Sequence, residues 1–481
     1  MFHIILYIFV GASAFLLYTI KVTSQRDTRT KTARQYNCDI PLTYPHLDPI
    51  FGTDLKFQEI QQSLSHQSIT FSANLHKKYG ETFEVINFGT SSLRSIDTEN
   101  IQAVYSKNHD DWGYEPSRLS VMGPFCGRGF ITTDGDTWQK ARALLRPTFS
   151  KSNISDLSAY KVAVEHNEDE RNKVTEFIKA FSTSMIGMGL SFLIGPFKFL
   201  IPKSLTTVAH KKVYDYIDVL VDKALEKTRE EPAYKENSNV PTQKSLLEGL
   251  AKQTDDRIEI RQNVIQRMMA AQGTTYVLIS NTLFLLSRNP DLYERLRDEV
   301  RYLDLEASFQ LFDLLRDHVF LQNILRESLR IYPVFPIMNH IALRDTILPK
   351  GGGTNGKSPI FAPKGTTIYT NQYALHRDEK VFGNGVESFN PDRWDSVNCK
   401  PTSWEYMPFG GGPRACAGQK KALVEASYTV AKIAQVYKGL ESRNNRDWEG
   451  EWKLTAENVN GCKVNLCKLY LRTNYLLKSP G

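Results

Sequence analysis

The residues best placed to do chemistry in this 481-residue chain form one run, Phe409-Gly410-Gly411-Gly412-Pro413-Arg414-Ala415-Cys416-Ala417-Gly418. A cysteine stands directly after a glycine-rich turn and directly before an amphipathic stretch, GQKKALVEASYTVAKIAQVY. Backbone N–H groups and the positive end of a helix then point at the sulfur, which favours thiolate over thiol. A thiolate that ligates iron needs such hydrogen bonds to limit its basicity. The glycines let the backbone approach a flat ring closely, and Arg414 can reach an anionic group at the ring's edge. A buried structural cysteine is the plain alternative, but it leaves the joint spacing of Phe, Gly, Arg, Cys and Gly unexplained.

The elements that must position this run read as mainly helical. Asp255 to Arg288 is a long, largely apolar helix; Asn289-Pro290 caps and starts another, PDLYERLRDEVRYL; a third spans about Phe309 to Tyr332. The last clear helix starts near Cys416. Glu81 to Ser95 reads as a strand pair turning at Gly89, and Pro- and Gly-punctuated strands run from Tyr332 to Thr370. This is a mainly α domain with small β-sheets at its margin. At 41% hydrophobic and 23% charged the chain can bury a large core. A net charge of +7 is too small for a nucleic-acid signature, and six irregularly spaced cysteines form neither a disulfide framework nor a zinc pattern.

Met1 to Ile20 carries no Lys, Arg, Asp or Glu and, as a helix, is about long enough to cross a hydrocarbon core. Lys21, Arg26, Arg29, Lys31 and Arg34 follow it, which places the rest of the chain in the cytosol. Ala12-Ser13-Ala14 resembles a signal-peptide cleavage site, but no basic stretch precedes it and apolar residues continue past it. The expected organisation is a transmembrane anchor over 1–20, a basic, Pro-containing linker over 21–45 and a catalytic domain over 46–481.

The Cys416 run resembles the haem-binding signature of cytochrome P450 enzymes at every defined position. Four other segments resemble family motifs in the same order: Trp138-x-x-x-Arg142, Glu327-Ser328-Leu329-Arg330, His340, and Phe389-Asn390-Pro391-Asp392-Arg393-Trp394. The resemblance implies the P450 fold and a haem b whose iron takes the Cys416 thiolate. It places Phe409 and Arg414 beside that haem, and Trp138, Arg142 and His340 at its propionates. Glu327, Arg330 and Arg393 would form a buried ion-pair network, in which a Glu and Arg three apart share a helix face. Ala270 to Thr275 resembles the oxygen-binding part of the long helix, with Thr274 as the proton-relaying residue. A helix can open locally there.

Two departures stand out. The family usually has an acid where this chain has Gly273, and the interval from Trp138 to Thr274 is several dozen residues short, with the gap after about residue 157. The activity implied is insertion of one oxygen atom from O2 into a C–H bond of a lipophilic substrate at the endoplasmic reticulum membrane. Electrons would come from NADPH–cytochrome P450 reductase, with cytochrome b5 as an auxiliary donor, docked near Lys420 and Lys421. Leu348-Pro349-Lys350-Gly351-Gly352-Gly353, Tyr373-Ala374-Leu375-His376-Arg377 and Glu425-Ala426-Ser427-Tyr428 resemble fungal alkane and fatty-acid hydroxylases. An oxygenase of a fungal secondary-metabolite pathway (polyketide or terpenoid) and a haem-binding relic are the alternatives. Phe125, Phe130, Val334, Phe335, Ile337 and Met338 are the expected apolar lining, or else core. Gly351 to Ser358 satisfies a phosphate-loop pattern, yet Pro359 and Pro363 forbid the helix that motif needs, so it reads as a hairpin loop. Asn153-Ile154-Ser155 is a glycosylation pattern kept from the machinery by cytosolic topology.

Overall fold

The structure is a computed structural model describing residues 2–146, 168–202, 204–230, 246–305, 311–397, 399–452 and 455–468. The shortened region after residue 157 and the Asn153 pattern lie largely or wholly outside them.

Helix Arg257–Leu286 runs through the middle of the molecule. Asp256 caps it, its carboxylate accepting from the N–H groups of Ile258 and Glu259. On one side it packs against helices Pro290–Val300, Val319–Ile331 and Gln419–Val436, where Val277, Leu286, Leu296, Leu321, Leu325 and Val430 form the main core. On the other, helices Glu115–Cys126, Glu168–Ile194 and Ser204–Glu230 enclose a second core around Phe125, Phe181, Val213, Ile217 and Ile260. The stretch expected as one helix to Tyr332 is two, Leu311–Asp317 and Val319–Ile331. His318 between them is extended, and the Glu299 carboxylate accepts from the free N–H groups of Phe320 and Leu321.

The strands are β1 (Thr82–Asn87), β2 (Thr90–Ser95), β3 (Trp112–Gly113), β4 (Ile337–Ala342), β5 (Thr346–Gly352), β6 (Ser358–Ala362) and β7 (Thr367–Asn371). A five-stranded sheet has the order β1-β2-β7-β4-β3, with only β2 and β7 parallel. Strands β5 and β6 form the hairpin that contains the glycine-rich phosphate-loop lookalike. Two further pairs, Tyr437–Ser442 with Val464–Lys468 and Gly450–Trp452 with Ala456–Asn458, follow the last helix. The β1–β2 turn holds Phe88 at φ 47° and Gly89 at φ 76°, the left-handed pair that a two-residue hairpin requires.

The amino-terminal helix, Phe2–Gln35, continues without a break through residues 21–35. One stripe of it, Tyr18, Val22, Arg26, Arg29 and Ala33, lies on the sheet end of the molecule at helical spacing. Tyr18 stacks on Phe51 at 5.1 Å and donates to the Phe88 carbonyl; Arg26 donates to the Pro49 carbonyl; Arg29 pairs with Glu84; Val22 and Ala33 are buried. Among the described residues no helix is long and apolar enough to cross a membrane. The expected anchor, Met1 to Ile20, falls largely outside that description, because residue 1 and the side chains of residues 2–12 and 14 are not part of it.

Candidate functional site

The Cys416 loop is closed by its own backbone, the Cys416 N–H donating to the Phe409 carbonyl at 2.9 Å. Gly412, at φ 63°, lies so close to the helical turn Ala103–Lys107 that a Cβ would fall 1.8 Å from the Tyr105 carbonyl oxygen. No other residue fits there. Helix Gln419–Val436 begins three residues after the cysteine. Burial pushes the Cys416 thiol up from its ordinary value, against the N–H groups of Gly418 and Gln419 and the charge of Arg142. The helix terminus therefore points the right way but does not by itself deliver the thiolate anticipated above. A bound metal ion would, since a coordinating thiol is deprotonated outright.

Around the loop, cations and aromatic rings alternate. The Arg118 guanidinium lies 3.7 Å from the Tyr114 ring and that of Arg414 4.9 Å from it. Arg414 is also 4.5 Å from the Trp138 ring, whose other neighbour is Arg142 at 6.0 Å. Arg142 donates to the Ala415 carbonyl at 2.7 Å, which fixes helix Gly135–Leu145 to the cysteine loop. His340 is buried against Tyr105 and Tyr114, and its Nδ1 has no partner among the described residues. Burial, with Arg118 and Arg414 adding to it, holds this imidazole neutral. The structure thus gathers Trp138, Arg142, His340, Phe409, Arg414 and Cys416 into one cluster. Tyr114, Arg118 and Asp134 belong to the same cluster and were not singled out from sequence. The spacing of Tyr114 and Arg118, one helical turn apart, is a signal too common to have found them.

Glu327 lies fully buried at the centre of a second cluster. Its carboxylate accepts from Arg330 Nε and Nη2 at 2.9 and 2.8 Å, Arg393 Nε at 3.2 Å, Trp394 Nε1 at 3.0 Å and the Asn390 N–H at 3.2 Å. Arg330 also donates to the His376 carbonyl, and the His376 ring accepts from the Met407 N–H at 3.1 Å, just ahead of Phe409. The ion-pair cluster is therefore tied directly to the cysteine loop.

On the other side, helix Arg257–Leu286 is unbroken through residues 270–275, and Thr274 donates to the Ala270 carbonyl at 2.9 Å. In this structure the helix is closed there, with the Thr274 hydroxyl bonded back within it. Of the expected lining, Phe125 and Val334 are core, Phe125 packing against Phe181, His210 and Tyr214. Lys421 pairs with Glu425 one turn on, and Lys420 lies 6.0 Å from the Phe312 ring.

A cysteine on a glycine-rich loop closed by its own backbone, beside a row of guanidiniums and tied through His376 to a buried Glu-Arg-Arg cluster, is the arrangement of a haem-thiolate enzyme. Residues 44–169 and 157–449 match the family Cytochrome P450, and the chain belongs to that family as a monooxygenase-type oxidoreductase. It is 31% identical to Cytochrome P450 monooxygenase himC of Aspergillus japonicus, over 88% of this chain and 82% of the relative. It is 29% identical to Cytochrome P450 monooxygenase FPY7 of Fusarium mangiferae, over 94% and 95%. It is 30% identical to Cytochrome P450 52A10 of Candida maltosa, over 80% and 83%. The FPY7 alignment spans 506 positions against 481 residues here, so that relative carries residues this chain lacks. The two family-matching segments meet at 157–169, beside the short interval.

Membership implies a haem held by a cysteine thiolate. The residues present fit such a group: a cysteine on a glycine loop, three guanidiniums able to face carboxylates, and an orphaned buried imidazole nitrogen at the same edge.

Proposed function

We propose that this chain is a membrane-anchored monooxygenase that inserts one atom of O2 into a C–H bond of a long-chain alkane or fatty acid. The observation that carries the reading is the convergence of the Cys416 loop with the Arg118, Arg414 and Arg142 row. Cys416 is the iron ligand, Phe409 packs beside it, and Trp138, Arg142, His340 and Arg414 hold the anionic edge of haem b. When bound, the haem supplies dioxygen activation, with the thiolate favouring O–O cleavage. Thr274 holds a proton at its hydroxyl, within the helix beside the reaction space, and Gly273 before it has none to pass on. Glu327, Arg330 and Arg393 keep the cysteine loop in register through His376 and Met407.

Residues 1–20 anchor the chain in the endoplasmic reticulum membrane with the catalytic domain cytosolic, a reading supported by the apolar sequence and its basic carboxyl flank. NADPH–cytochrome P450 reductase, assisted by cytochrome b5, supplies the electrons, since the sequence holds no flavin or nicotinamide fingerprint. The hydroxylase-like segments around Leu348, His376 and Glu425 support the substrate class. A second reading is oxidation of another lipophilic fungal product. The test is the carbon monoxide difference spectrum of the reduced protein, followed by NADPH-dependent product analysis with alkanes and fatty acids and purified reductase. A missing thiolate-type band overturns Cys416 as ligand. A normal band without hydroxylated chains overturns the substrate class.

A further inference from the structure

We infer that Asp134 is the positioning residue for Arg414, orienting that guanidinium toward the anionic edge of the cofactor before the cofactor arrives. The inference rests on the haem reading above. Asp134 lies just ahead of helix Gly135–Leu145, which carries Trp138 and Arg142, and its carboxylate is shared by two other elements. Oδ2 accepts from the N–H groups of Tyr114 and Glu115 at 2.9 and 2.8 Å, at the start of the helix that carries Arg118. Oδ1 accepts from Arg414 Nη1 at 2.9 Å and more distantly from the Tyr114 N–H at 3.1 Å. Arg414 is held further by the Thr133 carbonyl, 3.1 Å from both Nη1 and Nη2. Gly113 faces the same carboxylate so closely that a Cβ would fall 2.2 Å from Oδ2. One carboxylate therefore ties together the elements bearing Arg118, Trp138, Arg142 and Arg414.

Charge supports the assignment. Three guanidiniums and one carboxylate leave this cluster with two surplus positive charges, the number needed to meet two propionates. Without Asp134 three like charges would converge, and Arg414 would lose its only acidic partner among the described residues. A guanidinium pre-set by a fixed acceptor loses less rotamer freedom when it takes a carboxylate.

The oxygens divide the work in a way that makes a clean variant. In Asp134→Asn, a side-chain carbonyl in place of Oδ2 still serves Tyr114 and Glu115, while an NH2 group replaces Oδ1 opposite Arg414. In the full-length, haem-loaded protein, this change should speed haem transfer to apomyoglobin about tenfold, the loss of one charge-assisted hydrogen bond. It should also raise the haem reduction potential, because a nearby negative charge is removed. Asp134→Glu should restore most of the haem retention. In an Arg414→Lys background the added Asp134→Asn change should alter transfer by less than about twofold. Equal acceleration in both backgrounds, or no acceleration in either, would overturn the inference and leave Asp134 as a backbone cap. Should wild-type protein take up no thiolate-ligated haem, the parent reading fails instead, and the difference spectrum separates the two outcomes.

Discussion

Replacing Glu327 by Gln should destabilise the protein by about 3–5 kcal/mol, the range for breaking a buried ion pair from one side. The estimate follows from the contacts. Five N–H groups converge on the carboxylate, and two of them, Arg330 Nε and Trp394 Nε1, use Oε2 alone. An amide NH2 in that place turns both into donors without acceptors, each worth about 1.5–3 kcal/mol against a charged group. Arg330 and Glu327 are both fully buried, so water cannot compensate. Urea unfolding of wild type, Glu327→Gln and Trp394→Phe, followed by tryptophan fluorescence and haem absorbance, measures the difference. Trp394→Phe should cost less than Glu327→Gln, since it leaves both guanidiniums paired. A Glu327→Gln protein within about 1 kcal/mol of wild type would refute the reasoning, because the carboxylate would then be dispensable to a cluster built around it.

Other consequences follow from the same geometry. Gly273→Asp should raise the yield of product per NADPH, because a Cβ at residue 273 meets nothing within 4 Å and the acid restores a proton donor beside Thr274; unchanged peroxide release per NADPH would count against the relay. Cys416→Ser should remove the thiolate-type carbon monoxide band yet leave the far-ultraviolet circular dichroism intact, since a serine oxygen can take the place of the sulfur opposite the N–H groups of Gly418 and Gln419. Burial lowers His376 to about 3 and His76 to about 4. The unfolded chain therefore binds more protons than the folded one below pH 6.5. Stability is full above that value and is lost as pH falls toward 4, by about 1.4 kcal/mol per pH unit for each histidine. His376→Gln, which can still accept from Met407, should flatten that slope in urea titrations at pH 4.5 to 7.

The sequence made the proximal half legible because its determinants are local. Glu327 and Arg330 share a helix face by spacing alone, Gly89 marks its own turn, and the Cys416 loop announces itself through glycines that only a close approach requires. What stayed hidden depends on surfaces meeting across the fold. Asp134 looks like an ordinary helix-start acid until Tyr114, Glu115 and Arg414 are brought to it. The break at His318 depends on Glu299 from another helix. The basic run after Ile20 gives no sign in sequence that Pro49 and Glu84 are the partners of Arg26 and Arg29.

That docked helix makes the amino-terminal end a keyed shaft. Each residue added or removed between Ala14 and Tyr18 would turn everything before it by about 100° and shift it by about 1.5 Å relative to the sheet, while four residues nearly restore the phase. The first turns of the chain thus inherit a fixed compass bearing from Tyr18 and Arg29.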